Sequence, residues 1–495
     1  MFLKPSKRVN VWTARRLIFA FIICWSRYFA LANDQKPEQV HLAIGETTSQ
    51  LTVTWVTQKS TAVSVLEYGV KNVSDQRAYG TASKFVDGGK EKRAFYIHRV
   101  RLRNLEPNAL YLYRCGDGVM WSDNFQFRVL PDHPFWSPRL AVFGDMGITG
   151  NLALPELIHE VHDLDSFDAI LHVGDFAYNM DTDSGRYGDI FMRQIEPIAS
   201  RVPYMTAVGN HELAYNFSHY KSRFSMPGGD GESLFYSFDI GPAHVIAFSS
   251  ELYYYLYYGW RQVVRQYEWI KKDLEKNSPM EGNIHLRDKE ANKPENREAR
   301  PWIIAMAHRP MYCSNAVDAI HCDTVDNIVR TGYPYLDSKG KSYLLGLEKL
   351  FYKNGVDLII GAHEHSYERF WPVYNRKVCN GSQNNPYVNP HAPVHIVTGS
   401  AGSYEGKDPF SPIPHKWSAF RRHDYGFTRL DIYNGTHLRV QQISAELGSA
   451  GNILDSFTII SNKHGENLFT CHEEQPHSFQ PWIKLRPAVR VQEKC

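Results

Sequence analysis

Five short apolar runs in this chain each end in a side chain able to hold a metal ion. "RLAVFGD" ends at Asp145, "DAILHVGD" at Asp175, "VPYMTAVGN" at Asn210 and "PWIIAMAH" at His308, while "VDLIIGAHEH" carries both His363 and His365. Carboxylates, an amide and imidazoles are the donors with which a pair of metal ions is gathered for hydrolytic chemistry. One neighbour is of another kind: Tyr178 follows Asp175 by three positions in "HVGDFAYNMD" (172–181). A phenol titrates near pH ~10 and is a poor ligand unless a strongly Lewis-acidic cation takes its proton. Carboxylate and phenolate oxygens are hard donors suited to Fe(III), whereas an amide with two imidazoles suits a divalent ion.

A capped turn would account for any one of these residues taken singly. Five runs ending in the same register point instead to convergence. The runs are short and continuous, as in strands buried on both faces. Helical patterns lie between them. Residues 154–164 put Leu157, Ile158, Val161 and Leu164 on one face, and 342–355 put Leu344, Leu347, Leu350 and Phe351 together ahead of an Asn354-Gly355 stop. Strands alternating with helices predict an α/β region, in which ligands collect beyond the carboxyl ends of the strands. The polar stretch 275–300 predicts an exposed loop. Residues 394–405 read as a strand and glycine-rich turn, where a plain tight turn is the simpler reading than a phosphate cradle. Residues 424–444 read as a closing hairpin of the second sheet.

Ahead of this region, residues 38–130 have a different rhythm. "SQLTVTWVT" (49–57) places Leu51, Val53 and Trp55 on one face, and further short strands follow with turn-rich breaks between them. That is the pattern of a β-sandwich. "LEPNALYLY" sets Leu105 and Pro107 just before Tyr111 and Tyr113, resembling the start of the fibronectin type III strand at which a tyrosine locks the corner. "PDHPFWSP" (131–138), with three prolines, predicts a stiff linker.

The motifs "GDMG" (144–147), "GDFAY" (174–178), "GNHE" (209–212), "AMAH" (305–308) and "GAHEH" (361–365) resemble the five ordered motifs of the purple acid phosphatases, within the calcineurin-like metallophosphoesterases. The resemblance implies a fibronectin-III-like sandwich followed by an α/β metallophosphoesterase domain of two mixed β-sheets flanked by helices. It implies a binuclear centre with Fe(III) held by Asp145, Asp175, Tyr178 and His365. A divalent Zn, Fe or Mn would be held by Asp175, Asn210, His308 and His363, with Asp175 bridging. A ferric phenolate would give the colour of the family and explains the tyrosine. His211 is the candidate to contact phosphate or protonate the leaving oxygen; Glu212 and Glu364 are candidates to orient the histidines. One stretch departs from the plant long forms: "RPMYCSNAVDAIHC" lacks their histidine pair, leaving His321 as a possible substitute and the leaving-group acid open.

The reaction implied is acid hydrolysis of a phosphate monoester by metal-activated hydroxide, with small monoesters, nucleotides and phosphoproteins all fitting. The alternatives are a phosphodiesterase or pyrophosphatase of the same superfamily, which Tyr178 counts against, and a non-catalytic secreted binding glycoprotein, which the intact ligand set counts against. At 495 residues and 43% hydrophobic, the chain can bury more than one core. Residues 1–32 hold six basic residues and no acid, with an apolar run at 17–25 and Ala30-Leu31-Ala32 before Asn33, as in a secretory leader. Without them the formal charge falls from +2 to −4, which argues against nucleic acid as a partner. The apolar run is too short for stable membrane insertion. Four glycan acceptor triplets, at Asn72, Asn216, Asn380 and Asn434, fit a secreted or lysosomal glycoprotein. Cys115, Cys313, Cys322, Cys379, Cys471 and Cys495 show no metal spacing; Cys313 and Cys322 could close a short loop, but the pairing stays open. The expected order is a leader (1–32), the sandwich (36–131), the catalytic domain (136–465) and a C-terminal tail (466–495).

Overall fold

The structure, a computed structural model, describes residues 36–162, 166–275, 291–316, 327–336, 340 and 342–471. The expected leader, His321, Cys322, Cys495 and residues 472–495 of the tail lie outside the described residues.

The first part is all β. Glu38–Ile44, Leu51–Thr57, Ala94–Leu102 and Thr81–Val86 form one antiparallel sheet, and Gln76–Tyr79, Val65–Gly69, Leu110–Gly116 and Phe125–Arg128 the other. Leu51, Val53 and Trp55 point into the core between the sheets, with Val40, Leu66, Val100, Tyr113 and Phe127. The Tyr111 hydroxyl accepts from the Glu106 N–H at 3.3 Å, which is the corner lock that the local sequence predicts. The opposite face of Leu51–Thr57 is buried as well. Alternation alone would give that face to solvent; here it meets the second domain, with Thr54 Oγ1 donating to Ser225 Oγ at 3.4 Å.

The α/β part is built on two sheets packed face to face. In the first, Tyr204–Ala207, Ala169–Val173 and Arg139–Phe143 run parallel, followed by antiparallel Gly426–Ile432, His437–Ser444 and Ile453–Ile460. In the second, Ala243–Ala247, Trp302–Met306, Leu358–Gly361 and Val394–Thr398 run parallel, bordered by antiparallel strands. The period of two decides each side chain's neighbours. Leu140 and Val142 meet Trp302, Ile304 and Met306 between the sheets. Ala141, Phe143, Ile303 and Ala305 face outward into the layer formed with the helices. Helix Ala153–His162 buries Leu157 and Val161 there, as its spacing predicts, together with Leu154; Ile158 is partly buried against the same layer, and Leu164 lies outside the described residues.

Several expectations are corrected. The helix predicted over 342–355 is shorter: Ser342–Leu344 is a strand paired with Pro334–Leu336, Leu344 is exposed, and the helix runs Leu347–Lys353. The apolar positions matched a helical period because strand and helix happen to follow each other in phase. Within the stretch expected as an exposed loop, Pro294–Ala299 is a helix whose Arg297 is buried and donates to the Gly355 carbonyl at 2.7 Å. The hairpin at 424–444 extends the first sheet, pairing with Arg139–Phe143, rather than the sheet that ends at His308. The proline-rich connection is pinned at both ends, by Thr48 Oγ1 on the Pro131 carbonyl (2.9 Å) and Ser137 Oγ on the Tyr433 carbonyl (2.6 Å). Cys379 is joined to Cys471, Cys313 is also in a disulfide, and Cys115 is a buried free thiol.

Candidate metal centre

The carboxyl ends of the parallel strands in both sheets open onto one site. Asp145 and Asp175 leave the ends of Arg139–Phe143 and Ala169–Val173 with left-handed backbones, φ 63° and 59°, and Tyr178 and His363 share that conformation at 56° and 71°. Non-glycine residues rarely stay there unless the surroundings hold them. Glu212 supplies part of that hold: its carboxylate accepts from the N–H groups of Asp175 (3.0 Å), Phe176 (2.9 Å) and Gly209 (2.9 Å). Its work is therefore on the strand ends rather than on a histidine. Gly209 is needed for contact, since a Cβ there would lie 2.1 Å from Asp175 Oδ1. The 394–405 turn packs behind the end of Arg139–Phe143. Ala401 N–H bonds the Gly144 carbonyl, and Gly147 N–H the Gly402 carbonyl, so the turn buttresses Asp145.

The eight residues singled out in the sequence form one connected cluster. His308 Nε2 lies 3.0 Å from Asp175 Oδ2, 3.1 Å from Asn210 Oδ1 and 3.2 Å from His363 Nδ1. The His363 N–H reaches Asp145 Oδ2 at 2.9 Å, and the Tyr178 hydroxyl lies 2.6 Å from His365 Nε2 and 3.5 Å from Asp145 Oδ1. His211 donates its backbone N–H to Asp175 Oδ1 at 3.0 Å. Its ring packs on Tyr178 at 4.4 Å between centroids, with Nδ1 3.1 Å from Asn179 Oδ1 and Nε2 3.8 Å from Asp175 Oδ2.

These donors fit metal ions better than they fit each other. His308 Nδ1 gives its proton to the Val173 carbonyl at 2.9 Å, and His365 Nδ1 gives its own to the Gly406 carbonyl at 3.0 Å. Each neutral ring then turns a bare Nε2 into the cluster, the arrangement that prepares a histidine for a metal. Three polar atoms converge on His308 Nε2, and one proton cannot satisfy them all. In the metal-free protein the carboxylates attract protons instead. Burial works against charge on His308 and His365, but Asp175 and Asp145 outweigh it at His308, lifting it to about 10, and Asp145 does so at His365, lifting it to about 9. Tyr178 moves the other way from what a ligand requires: burial, then the Asp145 and Asp175 charges, push its pKa well above the ordinary value. Only a strong Lewis acid could hold it as phenolate.

The structure adds residues that strand-end motifs could not reveal. Asp408 accepts the His365 N–H at 2.7 Å, and Glu405 comes within 3.8 Å of His211 Nε2. Arg309, next to His308 in sequence, brings a guanidinium to 2.8 Å from His363 Nε2. The signal for Arg309 was its adjacency to strand-end His308; Asp408 carried none. Glu364 is buried beside Cys313, 3.8 Å away.

Comparison with known proteins agrees with this picture. The model of the purple acid phosphatase N-terminal domain matches residues 37–129, that of the calcineurin-like phosphoesterases residues 138–367, and that of the iron/zinc purple acid phosphatase-like protein C residues 392–456. The chain is 51% identical over 440 residues to acid phosphatase type 7 of Homo sapiens, covering 88% of this chain and 94% of that one. To the Danio rerio protein of the same name it is 49% identical, covering 88% and 93%. Among solved structures, a purple acid phosphatase isolated from yellow lupin (Lupinus luteus) seeds superposes with a TM-score of 0.69 at 27% identity, covering 87% of this chain and 75% of that one.

Proposed function

Because this chain belongs to the purple acid phosphatases and is a phosphatase, we propose that it hydrolyses phosphate monoesters at acid pH on an Fe(III)–M(II) pair, M being Zn, Fe or Mn. Asp145, Asp175, Tyr178 and His365 hold the ferric ion, and Asp175, Asn210, His308 and His363 the divalent one. The observation that carries this reading is the convergence of Asp175, Asn210 and His363 on His308 Nε2, all within 3.2 Å, beside a buried tyrosine that only a hard, strongly acidic cation would ionise.

When bound, the two ions supply Lewis acidity, which makes hydroxide available from water at acid pH and spreads the charge of the phosphoryl oxygens. The chain's own groups do the rest. Asp175, held through Glu212 and the His211 N–H, fixes the spacing between the two half-sites. His211, its ring set by Asn179 and Tyr178, turns Nε2 toward the cluster. Protonated, it gives that proton to the leaving oxygen as the P–O bond breaks.

Export is part of the proposal. It is supported by the leader-like residues 1–32, by the Cys379–Cys471 disulfide, and by the exposure of Asn72 and Asn434 as glycan acceptors. Asn216 and Asn380 have buried side-chain oxygens and are the weaker candidates. Among the described residues no helix is long and apolar enough to cross a membrane.

The deciding experiment is a visible spectrum and metal analysis of the full chain, with its Tyr178→Phe variant alongside. A charge-transfer band with one iron per chain, absent from the variant, is expected. A colourless wild type with two divalent ions would overturn the ferric assignment, and faster turnover of a diester than of phenyl phosphate would overturn the monoester one.

A further inference from the structure

Arg309 is fixed at four points. Its backbone N–H donates to Ser250 Oγ at 2.8 Å, Nε donates to Glu251 Oε2 at 3.0 Å, the guanidinium lies over the Tyr254 ring at 4.5 Å, and one terminal nitrogen is 2.8 Å from His363 Nε2. Glu251 is fully buried and is itself held by the Ser250 hydroxyl at 2.9 Å. With Nε committed to Glu251, the terminal edge of the fork is directed to the cluster, and the aromatic face under it prevents rotation. The side chain keeps 11% exposure and also meets the Tyr255 side chain.

Orienting a histidine does not require a guanidinium. Carbonyl oxygens do that for His308 and His365. A cation beside a pocket built for two metal ions adds repulsion, which a buried carboxylate must offset. The arrangement becomes favourable when the pocket receives an anion, and a planar fork held rigid is the donor that best matches phosphate oxygens. We infer that Arg309 is a phosphate-binding residue of this site, donating from its terminal edge to a non-bridging oxygen of the substrate while Glu251 and Tyr254 position it. The inference rests on the monoester reading given above.

The test compares R309A, R309Q and R309K with wild type as metal-loaded full chains, reading metal content, kcat and KM for phenyl phosphate, and inhibition by inorganic phosphate. A contact made equally in the ground and transition states shows in KM. With R309A, KM and the inhibition constant for phosphate should both rise about tenfold or more, with kcat within about threefold of wild type. Metal content should hold, and R309K should recover part of the phosphate affinity. Unchanged phosphate inhibition in R309A would overturn the inference. If R309A loses metal, R309K and R309Q decide: tighter phosphate inhibition in the lysine variant supports it, and equal inhibition overturns it. Loss of metal from all three would also overturn it, since Arg309 would then serve His363 alone. A wild type inactive on phenyl phosphate would fail the monoester reading instead, and calorimetric binding of phosphate to wild type and R309A would still test Arg309.

Discussion

His308 joins the two sheets chemically. Its ring is anchored on a carbonyl of the first sheet while its own strand belongs to the second, and its other nitrogen meets Asp175 from the first and His363 from the second. In the metal-free protein His308 and His365 titrate at about 10 and about 9, above the unfolded value of 6.5. Groups raised in this way stabilise the metal-free fold fully below pH 6.5, and that contribution is lost as pH rises through 9 to 10. Metal binding needs the same nitrogens bare, so loading should be weaker in acid and should displace protons. Titrating the stripped protein with Zn(II) at pH 7 in two buffers of different ionisation enthalpy should show release of roughly two protons from this pair. No release would mean that both rings were already neutral.

The strand ends set the geometry of the clustered side chains, and glycine lets them approach each other. A Cβ at Gly209 would sit 2.1 Å from Asp175 Oδ1 and 2.5 Å from its backbone nitrogen, and neither atom can move without disturbing the carboxylate proposed to bridge. Gly209→Ala should therefore fold but hold less metal, with roughly 1–3 kcal/mol of strain transferred to the Asp175 turn. Metal analysis after gel filtration checks this; full occupancy with unchanged activity would show that the turn has slack. Asp145, Asp175, Asn210, His308, His363 and His365 were visible in the sequence because each stands within four residues of the end of a buried strand, which is local information. Tyr178 and His211 were visible through motif spacing. Arg309 was not assigned a part, because its partners Glu251 and Tyr254 come from a segment more than 50 residues away. The helix at 342–355 was misread for the opposite reason: a local period gave no sign that Leu344 pairs with Pro334 in an antiparallel strand.

At the scale of the whole molecule, the sandwich and the α/β domain share buried polar contacts. Asp189, nearly inaccessible, pairs with Arg93 of the sandwich and with Arg223, the latter at 2.8 Å. The Tyr113 hydroxyl donates to the Ser200 carbonyl at 2.7 Å, and the Val40 N–H to Glu196 at 2.8 Å. Asp189→Ala removes the carboxylate that both arginines use and should cost about 3–5 kcal/mol, read as a lower denaturation midpoint. A shift below about 1 kcal/mol would mean that water replaces the pair cheaply. The seam also responds to acid. His219 sits 2.9 Å from Asp87, and its pKa is drawn down to about 4, first by burial and then by Arg223, against the pull of Asp87. A lowered histidine withholds a proton that the unfolded chain accepts, so its contribution is present above pH 6.5 and is lost as pH falls toward 4. Thermal midpoints should drop over that interval, and His219→Gln should flatten the slope; an equal slope in the variant would place the sensitivity elsewhere. The same seam imposes a schedule on synthesis. His41 meets the Arg223 carbonyl 182 residues further along. Arg223 follows the last sandwich strand, Phe125–Arg128, by about 95 residues, so at ribosomal speeds of roughly 5–20 residues per second the finished sandwich must wait roughly 5–20 s for its counterpart to emerge. Over that interval a nascent chain would hold one face of Leu51–Thr57 open to water or to a chaperone, so factors that bind nascent chains, or the pace of translation itself, should govern yield more than the strength of either core.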